Sequence, residues 1–308
     1  DSKGRTYFCF MNYHFIAIGG SAMHNLALAL HDSGHQITGS DDALYDPAKT
    51  RLEQAGIAPK TLGYHPENIH QGLDAVVLGM HAKADNIELI KAQELGVTIY
   101  SYPEFVYEQS KHKTRVVIAG SHGKTTITSM ILHAMHYHGK EIDYLVGAQL
   151  EGFDRMVRLN EASDFIIIEG DEYLSSAIDR RSKFLWYQPN IALVSGIAWD
   201  HINVFTTEDI YIDQFRKFMN TIVPGGSLTY FENDPKVKAL VEELQVPIRK
   251  FPYVAALYEI VADQTMVHTE EGDLPLKIFG AHNMANLEGA PWICQQRGIE
   301  PMDLYEAM

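Results

Sequence analysis

Short apolar runs alternate with longer amphipathic segments along most of the chain. Residues 13–18 and 36–39 have the length and composition of strands, and residues 22–32 between them repeat apolar positions at helical spacing. The alternation continues with strand-like runs at residues 74–78 and 97–100. Strands that alternate with helices form parallel sheets, so the pattern predicts a parallel α/β domain over residues 12–108.

A second series of the same kind follows a polar stretch, residues 108–114, which we interpret as a linker. Its first strand is predicted at residues 115–119 and is followed by a helix-like segment at residues 127–138. Later strands are predicted at residues 164–168, 191–194 and 227–231. The series predicts a second α/β domain over residues 109–308.

Composition narrows the class of protein. A chain of 308 residues that is 46% hydrophobic can bury the cores of two domains. A net charge of −15 argues against a nucleic-acid partner, because phosphate backbones are held by clustered Lys and Arg. The two cysteines, Cys9 and Cys294, form no disulfide or zinc pattern.

No apolar run is long enough to span a bilayer, and residues 1–10 lack the apolar stretch of a signal peptide. We therefore expect a cytoplasmic protein without a membrane partner. Because Met11 resembles a natural start, residues 1–11 are predicted to be an extension that resembles a tag.

The most specific motif lies between the strand at residues 115–119 and the helix that follows it. Its two glycines permit a tight turn that aims backbone N–H groups at phosphate oxygens, while Lys124 adds positive charge and Thr125 a hydroxyl for Mg²⁺. A chance Gly-Lys-Thr in a surface turn is the alternative, but the strand and helix context favours ATP binding. The candidate ATP-binding residues here are Gly120, Ser121, His122, Gly123, Lys124, Thr125 and Thr126.

Three carboxylates follow the apolar strand at residues 164–168, namely Glu169, Asp171 and Glu172. The carboxyl edge of a parallel sheet is where ligands bind, and hard cations that bridge nucleotide phosphates take oxygen donors. Glu169 is the first choice as a magnesium ligand, with Asp171 and Glu172 as further possibilities. The alternative is a solvated turn or a helix cap.

A glycine turn also follows the first strand, where backbone N–H groups could hold a pyrophosphate at a helix N-terminus. An acidic residue after the second strand commonly reaches a ribose hydroxyl. The signal is weaker, because the third glycine of the dinucleotide fingerprint is absent and such glycines are often only structural. The candidate residues are Gly19, Gly20, Ser21, Ala22, Met23, Ser40 and Asp41.

The short Gly-x-x-Gly-Lys-Thr loop resembles that of the Mur ligases and the related folylpolyglutamate synthases. The turn at residues 17–23, in which Ala17 replaces a glycine, and Gly-Ser-Asp at residues 39–41 resemble the Mur ligases that handle muramate. Residues 280–286 match their Gly-x-His-Asn-x-x-Asn motif. The folylpolyglutamate type is disfavoured, because it lacks the separate N-terminal domain.

The resemblance implies roles for these residues. The Rossmann-like domain at residues 12–108 would bind the uridine diphosphate of UDP-N-acetylmuramate, and residues 109–308 would form the central ATP-binding domain of P-loop type. Asn283 would contact adenine, although it could also cap a helix. His201, next to Asp200, resembles the histidine that binds a second Mg²⁺. Arg216 stands where relatives carry a carbamylated lysine and is a possible direct phosphate contact.

The activity implied is that of an ATP-dependent amide ligase of peptidoglycan metabolism. Lys124, Glu169 and His201 would be catalytic, and Thr125, Glu169 and His201 would hold Mg²⁺. The run at residues 169–173, with the basic segment at residues 179–184, resembles members that attach L-Ala-γ-D-Glu-meso-diaminopimelate in recycling. Members that attach L-alanine are the alternative acceptor class.

The resemblance covers residues 12–308 and lacks the family's C-terminal Rossmann-like domain, so we expect this chain to bind substrates but to turn over poorly. Two rivals remain from other classes. A non-catalytic nucleotide-sugar binding module would lack metal ligands, and a P-loop kinase would release a stable phosphorylated product.

Overall fold

The computed structural model describes residues 10–308. Residues 1–9, which include Cys9 and most of the predicted extension, lie outside the described part of the chain. Two compact units are present, and in the sequence they divide between Phe105 and Val106, with residues 157–159 and 175–180 counted in the first unit. Met11 is joined to the first unit, because its N–H donates to His35 Nδ1 at 3.2 Å.

The first unit is a four-stranded parallel sheet in the order β2-β1-β3-β4. Its strands are β1 (Asn12–Ile16), β2 (Gln36–Ser40), β3 (Ala75–Leu78) and β4 (Ile99–Ser101). Its helices are α1 (Ser21–Asp32), α2 (Ala48–Gln54) and α3 (Ile87–Leu95), and α4 (Tyr102–Ser110) carries the chain onward. All four residues of β3 are buried, which is the pattern of a strand covered on both faces.

The polar stretch at residues 108–114 is not a linker, which corrects the interpretation made from the sequence. Residues 108–110 end α4, and Thr114 already begins β5 (Thr114–Ala119). The helix is held by buried Phe105 and Val106, so its polar end needs no apolar residues of its own. Only Lys111 and His112 of this stretch are exposed, whereas Ser110 and Lys113 are buried polar residues at 0% and 5% exposure.

The second unit contains a larger parallel sheet with the order β11-β10-β9-β5-β8-β6. Its remaining strands are β6 (Asp143–Leu145), β8 (Phe165–Glu169), β9 (Ile191–Val194), β10 (Ser227–Phe231) and β11 (Arg249–Tyr253), while β7 (Val157–Arg158) is counted in the first unit. Its helices are α5 (Lys124–Tyr137), α6 (Glu208–Asn220), α7 (Pro235–Glu243), α8 (Ala281–Gly289), α9 (Pro291–Gln295) and α10 (Pro301–Ala307).

The core of this unit joins the central strand to the helix that follows it. Val116 and Ile118 on β5 pack in one buried cluster with Ile127 and Ile131 on α5. The packing fixes the chain immediately before and after residues 120–123. The loop between them is therefore held at both ends by the apolar core.

A small antiparallel sheet interrupts the α/β pattern. It is formed by β12 (Tyr258–Val261), β13 (Gln264–Thr269) and β14 (Gly272–Leu276) in that order. The α/β class with two parallel sheets is otherwise confirmed. Across the described residues we find no helix with the length and apolarity required to cross a bilayer.

A buried carboxylate organises the first unit. Glu88, at the start of α3, is fully buried, and its Oε1 accepts from His65 N at 2.9 Å and Asn68 Nδ2 at 2.8 Å. Its Oε2 accepts from Ser40 Oγ and lies 3.2 Å from His14 Nε2. Burial raises the pKa of Glu88, but the hydrogen bonds from His14, Ser40 and His65 outweigh burial and leave the pKa below its usual value.

Replacing Glu88 by Gln is expected to destabilise the first unit by about 1 to 3 kcal/mol, because an amide NH2 would face groups that now donate to a carboxylate. Hydrogen exchange of peptides from β1 and β2 would measure the loss as faster exchange. Glu67→Gln is the matched control, since the Glu67 side chain is 77% exposed and lies 4.0 Å from His65. Equal exchange in the two variants would contradict a structural role for Glu88.

Candidate active site

The loop between β5 and α5 has the backbone that its glycines predict. Gly120 has φ 142° and Gly123 has φ 78°, both in the region that favours glycine. A Cβ on Gly120 would lie 2.1 Å from Ser195 Oγ, and a Cβ on Gly123 would lie 2.5 Å from Asn286 Oδ1. Both positions therefore exclude a side chain through strain and through close approach.

Lys124 is held at the start of α5 by two oxygen acceptors. Its Nζ donates to Gly120 O at 2.6 Å and to Glu172 Oε2 at 3.0 Å. The Glu172 side chain is only 1% exposed, so its charge is paired with the lysine inside the protein. The ammonium group is thus fixed beside the loop that would receive phosphate.

Tyr211, on the buried face of α6, is a site residue that the sequence did not reveal. Its hydroxyl donates to Glu172 Oε1 at 2.8 Å and lies 2.8 Å from Ser121 Oγ. Burial raises the pKa of Tyr211, which keeps the hydroxyl protonated. The tyrosine therefore joins the phosphate loop to the carboxylate that holds Lys124.

Thr125 and Glu169 meet at the carboxyl end of β8. Thr125 Oγ1 donates to Glu169 Oε1 at 2.7 Å, and Glu169 Oε2 accepts from Gly147 N at 3.0 Å. Glu169 is the last residue of β8, as predicted. A hydroxyl and a carboxylate side by side at a phosphate loop are oxygen donors of the kind that Mg²⁺ takes, so these residues fit the ion.

His201 lies on the other side of Glu172. Its Nε2 is 3.5 Å from Glu172 Oε1, its ring meets the ring of Tyr173 edge-on at 5.0 Å, and its backbone has φ 53°. Within residues 10–308, no group of three or more His, Cys, Asp or Glu side chains is arranged to hold a metal ion by itself. The structure thus pairs Thr125 with Glu169, and His201 with Glu172.

Asp171 is paired with Lys183 rather than with the phosphate loop. Its Oδ2 accepts from Lys183 Nζ at 2.6 Å, and its Oδ1 accepts from Tyr173 N at 3.1 Å. Burial raises the pKa of Asp171, but the positive charge of Lys183 and these hydrogen bonds leave it below its usual value. Arg181, nearby in the sequence, stacks over Trp186 at 4.0 Å.

The lowered pKa predicts an acid-dependent loss of stability. Asp171 stabilises the fold above the pKa of an unfolded Asp, about 4, and this contribution is lost as the pH falls through the lower folded value. The difference in unfolding free energy between wild type and Asp171→Asn should therefore shrink below about pH 4 in urea titrations. The exposed Asp154 supplies the control, Asp154→Asn. A difference that stays constant with pH would contradict the pairing.

The other residues predicted to contact ATP are His122, Thr126 and Asn283, and each makes a different contact within the protein. The ring of His122, an exposed residue, lies against Gly196, where a Cβ would come within 2.8 Å of it. Thr126 O accepts from Ser129 Oγ at 2.8 Å in the first turn of α5. Asn283 Nδ2 donates to Phe279 O at 2.9 Å, while Asn286, three residues later, is the amide that reaches the loop at Gly123.

Arg216 does not join these groups. Its guanidinium lies 3.0 Å from Asp213 Oδ1 and 3.1 Å from Glu243 Oε2 on the exposed side of α6. These two hydrogen bonds, Glu243 first, raise the pKa of Arg216. The structure therefore gives Arg216 a place in a surface ion-pair network.

The glycine turn of the first unit is held by Asp41. Its Oδ2 accepts from Gly19 N at 2.7 Å, and a Cβ on Gly19 would lie 2.8 Å from the same oxygen. Burial raises the pKa of Asp41. Ala17 has φ 64°, a conformation that usually requires glycine.

The other residues of this unit that were predicted to bind the UDP-sugar lie either at the start of α1 or in the core. Gly20 precedes α1, whose first residues are Ser21, Ala22 and Met23, with no side-chain cap on the first turn. Met23 is buried, and Ser40 is 1% exposed with its hydroxyl donated to Glu88. The turn and Asp41 therefore remain candidates for ligand contact, whereas the Ser40 side chain belongs to the buried network.

Two family descriptions match this chain over these same segments. "Mur ligase family, catalytic domain" matches residues 12–114, and "Mur ligase middle domain" matches residues 118–293. The second match alone covers more than half of the chain. The chain belongs to the Mur ligase family.

Two kinds of relatives stand out within the family, as the motifs predicted. The UDP-N-acetylmuramate–L-alanyl-γ-D-glutamyl-meso-2,6-diaminoheptandioate ligase of Escherichia coli is 28% identical over 97% of this chain. The UDP-N-acetylmuramate–L-alanine ligase of Leuconostoc mesenteroides is 36% identical over 68% of it. This chain spans 67% of the first relative and 44% of the second.

Solved structures give the same family. The ligase for L-alanyl-γ-D-glutamyl-meso-diaminopimelate from Neisseria meningitides superposes with a TM-score of 0.85 at 27% identity, and covers 97% of both chains. A murein peptide ligase from Psychrobacter arcticus superposes with a TM-score of 0.81 at 26% identity, and this chain covers 67% of it. These likenesses confirm the α/β fold of both parallel sheets.

Proposed function

We propose that this protein is an ATP-dependent ligase that joins the carboxylate of UDP-N-acetylmuramate to the amine of L-Ala-γ-D-Glu-meso-diaminopimelate in peptidoglycan recycling. The observation that carries the proposal is the fixed arrangement of Lys124, Glu172, Thr125 and Glu169 around the loop after β5. This arrangement provides the charge and oxygen donors that transfer of a phosphoryl group needs. Family membership supplies the reaction class.

The proposed reaction has two balanced steps. The muramate carboxylate attacks the γ-phosphoryl group of ATP, which forms an acyl phosphate and releases ADP. The amine then attacks the acyl carbon, the tetrahedral species collapses, and inorganic phosphate and a proton leave as the amide forms. Activation is needed because a free carboxylate is a poor acyl donor.

In this proposal the residues of the second unit offset the negative charge of the ATP phosphates and hold the phosphates in position. Lys124 offsets the charge that develops on the transferring phosphoryl oxygens, and Glu172 and Tyr211 hold the lysine in place. Thr125 and Glu169 would hold Mg²⁺, which neutralises phosphate charge when bound. His201, beside Glu172, would stand near the same phosphates, and residues 120–126 would cradle them with backbone N–H groups.

In the first unit, the turn at residues 19–23 would hold the diphosphate of UDP-N-acetylmuramate at the start of α1. Asp41 fixes the turn through Gly19 N, which preserves the orientation of the next N–H groups. An acidic residue at this place is also suited to a ribose hydroxyl. Asn283 or Asn286 would contact adenine, and Asn286 is the better placed because it already reaches Gly123.

The tripeptide is favoured as acceptor by the similarity that extends over 97% of the chain to both the E. coli and the Neisseria ligases. L-alanine is the second candidate, because the Leuconostoc relative is more identical over a shorter stretch. Among side chains, Lys183 and Arg181 offer positive charge to an anionic peptide, although Lys183 is already paired with Asp171.

The test measures phosphate release from ATP with UDP-N-acetylmuramate and either the tripeptide or L-alanine. Release with the tripeptide alone supports the proposal, and release with L-alanine alone moves the protein to the other acceptor class. Stable phosphorylated muramate without free phosphate would indicate a kinase. Calorimetric binding of UDP-N-acetylmuramate with no phosphate release, even at a protein concentration that would reveal the slow turnover expected of this chain, would indicate a binding module.

A further inference from the structure

His201 begins a short turn, residues 201–205, whose backbone conformation has to be maintained by neighbouring groups. Its φ of 53° lies in the left-handed region, which a residue other than glycine keeps only when its surroundings fix it. Its carbonyl oxygen accepts from the N–H groups of Val204 at 2.8 Å and Phe205 at 2.9 Å. These bonds fix the backbone, but the His201 side chain is 33% exposed and needs a further contact to keep its direction.

Tyr173 contacts this turn at two points. Its ring meets the ring of His201 edge-on, with centroids 5.0 Å apart and planes at 70°. Its hydroxyl oxygen accepts a hydrogen bond from Asn203 Nδ2 at 3.1 Å. One side chain thus holds the first and the third residue of the turn, on either side of the exposed Ile202.

The backbone of Tyr173 is itself held in both directions. Its N–H donates to Asp171 Oδ1 at 3.1 Å, and its carbonyl oxygen accepts from Lys183 N at 2.8 Å. The next residue, Leu174, is buried and pairs with Ser182. Tyr173 is therefore a fixed point against which the turn at residues 201–205 is placed.

Tyr173 also follows directly after the carboxylate that holds Lys124. Glu172 Oε2 accepts from Lys124 Nζ at 3.0 Å, and Glu172 Oε1 lies 3.5 Å from His201 Nε2. Because Glu172 and Tyr173 are joined by one peptide bond, the residue that fixes the turn is also fixed relative to this carboxylate. The two contacts of Tyr173 therefore set the distance between His201 and Glu172.

We infer that Tyr173 is a positioning residue for the ligase reaction proposed above, on which this inference rests. Its ring and its hydroxyl together hold the turn so that the imidazole of His201 stays beside Glu172, near the place proposed for the phosphates of ATP. Tyr173 acts through His201 rather than on a reacting atom. Its loss therefore changes the rate of phosphoryl transfer and leaves the binding of the UDP-sugar as it is.

The first test follows the His201 ring by NMR, in protein that is free of substrates and isotope-labelled at its histidine rings. The resonance of His201 is assigned by its absence from His201→Gln. Tyr173→Phe and Asn203→Ala each break the bond between hydroxyl and amide, and both keep the aromatic ring that meets His201. Each is expected to shift or broaden the His201 resonance, because the turn loses one of its two attachments to residue 173.

Tyr137→Phe is the matched control for this measurement. Tyr137 is an exposed tyrosine of the same unit, and its hydroxyl donates to Glu306 Oε1 at 3.4 Å. The substitution removes a hydroxyl that is hydrogen-bonded to a side chain, as Tyr173→Phe does, but far along the chain from the turn. It should leave the His201 resonance and the rate of phosphate release unchanged.

The second test measures phosphate release in a single turnover, with the protein in excess over ATP and with saturating UDP-N-acetylmuramate and tripeptide. Tyr173→Phe and Asn203→Ala are each expected to slow the release about five-fold, the effect of one lost hydrogen bond. The double variant should be no slower than either single variant, because both substitutions break the same bond. The dissociation constant of UDP-N-acetylmuramate, measured by calorimetry, should stay within about two-fold of the wild-type value.

The inference is overturned if the His201 resonance is unchanged in folded Tyr173→Phe and Asn203→Ala, or if both variants release phosphate at the wild-type rate. A double variant that is slowed by the product of the two single effects also overturns it. If circular dichroism shows that Tyr173→Phe does not fold, Asn203→Ala, at an exposed residue, decides both tests. If the wild type releases no phosphate, the proposed function fails, and the His201 resonance still decides whether Tyr173 holds the turn.

Discussion

Replacing Lys124 by methionine is expected to lower ATP-dependent phosphate release by about 10² to 10³-fold. Methionine keeps the apolar stem but removes the ammonium group that Gly120 O and Glu172 Oε2 hold at 2.6 and 3.0 Å. Without it, the charge on the transferring phosphoryl group has no lysine to offset it, and the buried Glu172 loses its cation. The measurement is the rate of phosphate release at saturating ATP.

The matched control is Lys140→Met, at an exposed position after α5, which should keep the wild-type rate. Calorimetry of ATP with Mg²⁺ separates binding from turnover. A Lys124→Met protein that binds ATP about ten-fold more weakly and also turns over slowly is the expected result. Wild-type phosphate release by folded Lys124→Met would remove Lys124 from the mechanism.

The loop after β5 could be predicted from the sequence because its chemistry depends on residue identity at fixed spacing. Only glycine fits at residues 120 and 123, and Lys124 and Thr125 begin the helix directly afterwards. Glu169 was predictable for a similar reason, since it is the first charged residue after the buried apolar run of β8 and so lies at the carboxyl edge of the sheet. These features are local in the chain.

Residues that reach the site from distant segments were not predictable. Tyr211 comes from α6, ninety residues after Ser121, and in the sequence it is one more apolar position on a helix. Asn286 is three residues after Asn283, and only the packing of α8 shows which amide meets the loop. Periodicity identifies the buried face of a helix without identifying what that face contacts.

The small antiparallel sheet was missed because its turn lacks the usual signal. Ala262 and Asp263 join β12 to β13 with φ of 48° and 64°, the positive values of a two-residue hairpin that normally carries Asn-Gly. Most of β12 is exposed, so its sequence lacks the alternation of buried apolar and exposed polar residues that predicts a strand. Tertiary context imposes this turn against local preference.

Arg115→Leu is expected to destabilise the second unit by about 3 kcal/mol, because hydrogen bonds from a charged donor to buried carbonyls are lost. In the sequence Arg115 is merely the polar first residue of an apolar run, but the structure buries it to 5% exposure at the start of β5. Its guanidinium donates to backbone carbonyls of residues 110, 111, 113, 187 and 188. Leucine would remove these donors. Ser110 O would keep the N–H of Lys113 at 2.9 Å, but the other carbonyls would lose their guanidinium partner inside the protein.

Urea denaturation followed by tryptophan fluorescence measures this effect, since all three tryptophans, Trp186, Trp199 and Trp292, lie in the second unit. Arg216→Leu is the control. The Arg216 guanidinium also has oxygen partners at 3.0 and 3.1 Å, but its side chain is 43% exposed. Exposed pairs contribute about 0 to 1 kcal/mol, so Arg216→Leu should shift the midpoint little. Equal midpoints for the two variants would mean that the buried carbonyls find other donors, and that β5 does not depend on Arg115.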